Sequence, residues 1–246
     1  MPIYEPEHVE HAITNGMIQI ITDDSQQFPA YWAHPKIGRH FPGAVIIHDW
    51  WGMNDMVRRV SNLFAQMGYY VIAPDLFNGA TTSEPTEAMK LVEKLGSKGY
   101  PVIHSALSVL ETHSQCNGNV AAVGIGMGGS LAYEAAIVRE DLEVSIAYGG
   151  FLHRYLGRFK DCITPICAFY GVDEPHIPKI EIQKLRKELK HSKLKLPHEV
   201  HMIEGLAHDI FSTTLTDAQR EKSREVLKYT FEFLDTHLQD PPEKPK

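Results

Sequence analysis

The sequence predicts an α/β fold, a mostly parallel central sheet with helices on both faces, and three observations carry that prediction. Short apolar runs such as Ala44-Val45-Ile46-Ile47 and Tyr69-Tyr70-Val71-Ile72-Ala73 suit strands buried on both sides. Segments with helical spacing of apolar residues alternate with those runs, as crossover connections between parallel strands require. Polar or unusual residues fall just after several strands, where open α/β sheets place their sites.

Taken in order, Met17-Thr22 and Phe28-Ala33 read as an opening antiparallel pair, followed by the strand Ala44-His48. From Asn54 to Met67, apolar Met56, Val60, Leu63, Phe64 and Met67 recur at helical spacing, and Gly68 suits the cap that ends the helix. The strand Tyr69-Ala73 is stopped by Pro74. Two helical patterns follow, Thr86-Leu95 and Val102-His113. The strand Val120-Gly124 leads through a glycine-rich turn into a helix reaching Arg139. Strands at Val144-Tyr148 and Pro165-Tyr170, a helix near Ile177-Lys190, a strand Glu199-Ile203 and a helix Asp217-Leu238 complete the pattern. With no internal repeat or linker, residues 1–240 read as one domain and 241–246 as a disordered tail.

A chain of 246 residues, 43% of them hydrophobic, buries a full core. Its net charge of −7 and scattered basic residues give no footprint for nucleic acid. No segment approaches the roughly 20 apolar residues of a membrane span, and the acidic start lacks the core of a signal peptide. Cys116, Cys162 and Cys167 show no metal-type spacing, so the expectation is a reduced, cytoplasmic protein without metal or cofactor. Between His198 and His201 an offset of three along a strand sends the two rings to opposite faces, which weakens a metal reading there.

The turn Gly124-Ile125-Gly126-Met127-Gly128 has the frame of a nucleophile elbow, the G-x-S-x-G pattern, with Gly126 at its centre. His48-Asp49-Trp50-Trp51-Gly52, Gly171-Val172-Asp173 and Gly205-Leu206-Ala207-His208 occupy other strand ends, in the order nucleophile position, acid, histidine. With Gly68-Tyr69 and Pro74-Asp75-Leu76, these blocks make nearly the whole chain resemble the dienelactone hydrolase family of α/β-hydrolases. The resemblance implies an α/β-hydrolase fold, with Asp173 as triad acid and His208 as triad base. It implies an oxyanion hole from the backbone N–H groups of Trp50 and Met127. Asp49 then stands where the family usually has a glutamate beside its thiol.

Two departures bear on function. Gly126 replaces the catalytic cysteine, and the arginines that clamp the carboxylate of dienelactone have no counterpart after Asp75 or after His208. Glycine takes a strained positive φ freely, so a chain without a nucleophile relaxes the turn at this position. The first expectation is therefore a non-catalytic or ligand-binding pseudo-hydrolase, its small-molecule pocket built from Asp49, Trp50, Trp51, Gly126, Met127, Asp173 and His208. The alternative is a slow hydrolase of lactones or activated esters in which His208–Asp173 activates water. Asp49 reads equally as a second carboxylate of the site or as a cap on the helix near Met53-Asn54. His48 and Cys167 read as structural, and Ser130 as facing away from the turn. A homo-oligomer is left open.

Overall fold

A computed structural model describes residues 11–238, so the expectation for the tail at 241–246 lies outside the described residues. Eight strands form one sheet in the order β1-β2-β4-β3-β5-β6-β7-β8. The strands β1 (Ile13–Ile21) and β2 (Gln27–Pro35) form the expected antiparallel pair, longer at its ends than its apolar runs suggest. Strand β2 pairs antiparallel with β4 (Tyr70–Pro74). From there β3 (Phe41–Ile47), β5 (Cys116–Ile125), β6 (Val144–Tyr148), β7 (Ile166–Gly171) and β8 (Glu199–Ile203) run parallel. This is the α/β-hydrolase fold expected from the sequence.

Residue alternation sorts the core onto the two sheet faces. Ala44, Ile46, Val71, Val123 and Ile146 pack under α1 (Asp55–Gln66) and α6 (Asp217–Leu238), where Phe64 meets Phe231 at a ring distance of 4.9 Å. Val45, Ile47, Ile72 and Ala122 face the other way, toward α3 (Gly99–Thr112) and α4 (Met127–Val138). Each such fully buried aliphatic or aromatic side chain contributes on the order of 1.5–3 kcal/mol. Helix α5 (Lys179–Lys190) buries Ile182, Leu185 and Leu189 beside β7, while only Ala88 and Leu95 of α2 (Pro85–Leu95) are buried.

The cap of α1 is Asn54, whose side-chain oxygen accepts from the N–H groups of Met56 and Val57 at 3.0 and 3.2 Å. Such a cap is worth about 1 kcal/mol. Asp49 therefore does not cap that helix. Because β3, β5, β7 and β8 are parallel and in adjacent register, their carboxyl ends all open on one side of the sheet.

Candidate active site

Four strand-end loops build the site. After β3, His48 is fully buried and wedged between two backbone groups: its Nδ1–H donates to the Asp49 carbonyl at 2.6 Å and its Nε2 accepts from Leu76 N–H at 3.0 Å. Both ring nitrogens are consumed and burial pushes its pKa down, so His48 is a neutral brace between β3 and the loop after β4. The next residue, Asp49, turns its carboxylate back to accept from Trp51 N–H at 2.8 Å, which fixes the path of the Trp50-Trp51 pair. The two indole rings sit 4.8 Å apart, both half-buried.

At the end of β5 the chain turns sharply into α4. Gly126 has φ 54° and ψ −115°, and its N–H donates to the Tyr148 carbonyl at 2.8 Å. The turn has a positive φ, strained for any residue with a side chain, and glycine takes it freely. A Cβ placed on Gly126 would lie 3.3 Å from Asp49 Cβ and 3.5 Å from His208 Nε2. A side chain at residue 126 would thus begin within 3.5 Å of both an acidic residue and an imidazole. Met127 opens α4, so its N–H belongs to the first helical turn, where backbone donors lack helical acceptors.

The carboxylate on His208 is not the predicted one. His208 Nδ1 bonds Glu174 Oε2 at 2.7 Å, while Asp173 is exposed. The turn after β7 explains the difference. Glu174 N–H closes on the Gly171 carbonyl at 3.3 Å, a four-residue turn that leaves Val172 and Asp173 at its corner and brings residue 174 back inward. The Glu174 side chain is completely buried and its second oxygen accepts from His176 N–H at 2.7 Å. The sequence signal was present as an acid adjacent to the expected one, but a register of one residue in a turn is not encoded in apolar periodicity. His176 was also missed; its ring meets that of His208 edge-on at 5.1 Å.

At His208, burial pulls the pKa down, yet the hydrogen bond and charge of Glu174, with Asp209 and Asp49 adding, leave it above its usual value. For Glu174, burial pushes upward, but the bonds from His208 and His176 N–H hold it below the ordinary carboxylate range. Asp49 is pushed up to about 6, chiefly by burial, with Asp209 adding to the rise and Trp51 N–H and His208 opposing it. A Cβ at position 149 would meet the His208 ring at 3.0 Å, so Gly149 is what lets the imidazole approach the turn.

These groups open on a cavity of about 720 Å³. Asp49, Trp50, Trp51, Gly126, Met127 and His208 all line it, as does Ser130, whose Oγ is engaged by the N–H of Phe151 at 3.0 Å. Asp173 does not line it. Cys167 is fully buried in β7, and burial raises its thiol far above the ordinary range, which makes it inert as a nucleophile. His198 accepts from Ile166 N–H at 3.2 Å and is pushed down to about 4 by burial. On the same face as one another, Glu199 and His201 bring donors within 4.8 Å of Cys167, a three-residue cluster away from this cavity.

The chain matches the dienelactone hydrolase family over residues 28–238. Among curated relatives, the protein usf of Aquifex pyrophilus is 27% identical over 164 residues, which are 63% of this chain and 61% of that protein. The chain thus spans under two thirds of that relative. A Synechocystis protein named "Putative carboxymethylenebutenolidase" is 23% identical over 89% of this chain and 95% of its own length. Among solved structures, the dienelactone hydrolase-like promiscuous phosphotriesterase P91, from metagenomic libraries, superposes with a TM-score of 0.78 at 18% identity, covering 91% of this chain and 99% of that one. The dienelactone hydrolase of Anabaena variabilis gives 0.70 at 15% identity over 93% and 100%.

Proposed function

The chain belongs to the dienelactone hydrolase family, and from that premise we propose that it hydrolyses lactones or activated carboxylic esters by general-base attack of water, without an acyl-enzyme intermediate. In this reading Gly126 stands at the position of the family's nucleophile, and the space beside it receives a water. The observation that carries the proposal is the buried Glu174–His208 pair, with Nε2 directed at that space 3.5 Å from where a side chain would begin. Burying such a pair adds little stability compared with apolar packing. Its retention beside a 720 Å³ cavity is therefore better explained by proton transfer than by folding.

Glu174 holds Nδ1 protonated, so neutral His208 presents the lone pair of Nε2. Water attacks the carbonyl carbon as its proton passes to Nε2. The tetrahedral oxyanion is received by the N–H groups of Trp50 and Met127. Collapse breaks the bond to the alkoxide, which takes the proton back from His208. Asp49, when ionised, accepts a hydrogen bond from the water's second O–H, whose proton stays with the acid product. Without a covalent nucleophile the rate falls well below that of an intact triad, whose loss elsewhere leaves roughly 10³–10⁴-fold catalysis over water.

The test is steady-state and pre-steady-state hydrolysis of p-nitrophenyl acetate and a simple lactone. Turnover without a burst, abolished in His208→Ala, supports the proposal; a burst or a trapped covalent intermediate overturns it. A second reading, binding without turnover, is favoured by the inertness of Cys167 and the engagement of Ser130. Ligand binding with no rate above that of the His208→Ala variant would select it.

A further inference from the structure

Resting on the same cavity, we infer that the acyl portion of the ligand is a linear or aromatic hydrocarbon group seated against α2, and not a short or carboxylate-bearing acid. The cavity lining holds two chemically distinct groups of residues. Around residue 126 lie Asp49, His176, His208 and Asp209, the groups that meet a carbonyl. The same cavity is also lined by apolar Met89, Val92 and Leu95 of α2, by Leu131 of α4, and by Gly96 and Gly99.

The spacing along α2 is helical. Met89, Val92 and Leu95 recur at three residues along α2, so one face of that helix turns toward the cavity, and Gly96 and Gly99 follow at the break between α2 and α3. Met89 is 55% exposed there, a large apolar side chain left uncovered by the rest of the fold. The absent side chains at 96 and 99 leave the lining low there; a Cβ at 99 would already touch both methyls of Leu131 at 3.2 Å. A volume of about 720 Å³ lies within the range of pockets that enclose drug-sized ligands. A carboxylate set against α2 would lose its hydration among methyl and thioether groups. Arg154, the arginine lining the cavity, is exposed and is not on α2.

The experiment uses 2-alkanones from butanone to decanone, which present a carbonyl but are not hydrolysed, titrated against the full chain. In a Trp32→Phe background the fluorescence comes from Trp50 and Trp51, which line the cavity. Affinity should rise about fourfold for each added methylene, and Val92→Asp should abolish that rise. Affinity independent of length, or a rise that survives Val92→Asp, overturns the inference. Length-dependent binding with no ester turnover removes the hydrolytic reading and leaves this one standing; turnover with flat length dependence does the reverse.

Discussion

Two histidine–glutamate pairs in this molecule have the same contact distance, 2.7 Å, and different surroundings. His208–Glu174 joins the loops after β8 and β7, with the glutamate side chain wholly buried and the imidazole 17% exposed. His201–Glu199 lies within β8, with exposures of 26% and 47%, its ring stacked between Phe169 and Tyr229. A short hydrogen bond alone therefore does not mark a site. What separates the two is that the first has an acid held charged out of water, a second ring nitrogen directed at a cavity, and a positive-φ turn facing it.

The comparison breaks most sharply on deletion. His208→Ala should lower ester turnover by about 10²–10⁴-fold, whereas His201→Ala should leave it within about twofold, read from initial rates at equal folded concentration. Equal losses in both would dissolve the distinction. Next in size, Glu174→Gln should lower turnover by about one to two orders of magnitude, as expected for a misoriented general base, while Asp173→Asn has little effect. The reverse ranking would restore Asp173 as the acid.

Adding a side chain at the turn probes the strain. Gly126→Ala should destabilise by about 1–3 kcal/mol in urea unfolding because φ is positive. Gly126→Cys should show the same loss and, with its sulfur beside His208, accumulate a thioester. A more stable variant would refute the backbone argument.

The pH dependence has a defined sign. His208 is raised above its ordinary value near 6.5, so its contribution to stability is complete below that pH and lost as pH rises through the folded value. Glu174 is lowered from about 4.5, so its contribution is present above that pH and lost as pH falls through its folded value. The stability difference between wild type and Glu174→Gln should therefore peak between about pH 4.5 and 6.5. Turnover, needing neutral imidazole, should rise through a midpoint above 6.5, and Asp49→Asn should move that midpoint down by removing a neighbouring anion. The smallest effect belongs to the edge pair, where Glu199→Gln should cost less than about 1 kcal/mol.

Much of the fold was legible because its signals are periodic. Val144–Tyr148, Glu199–Ile203 and Asp217–Leu238 agree with their apolar patterns to the residue. Strand β1 starts earlier than its apolar run, through Thr14, Asn15 and Gly16, because these residues pair with β2, with Ile13 against Pro35. At the site, Asp49, the two tryptophans, Gly126 and His208 were visible because each follows a buried strand. Glu174 was not, since a turn's hydrogen bond decides which of two adjacent acids points inward. The positive φ that the sequence assigns to Gly126 is present, with its N–H bonded to the Tyr148 carbonyl at the start of α4.

Among the described residues strand β8 is bonded on one side, to β7, and ends five residues before His208. His208, the proposed base, thus hangs from an outer rung of the sheet while residue 126 sits near its centre. Peeling of that rung on warming would carry the imidazole away from the turn while the inner strands stay paired. On the proposed reading, heat should accordingly end ester turnover several degrees before the fold melts, read from initial rates against circular dichroism.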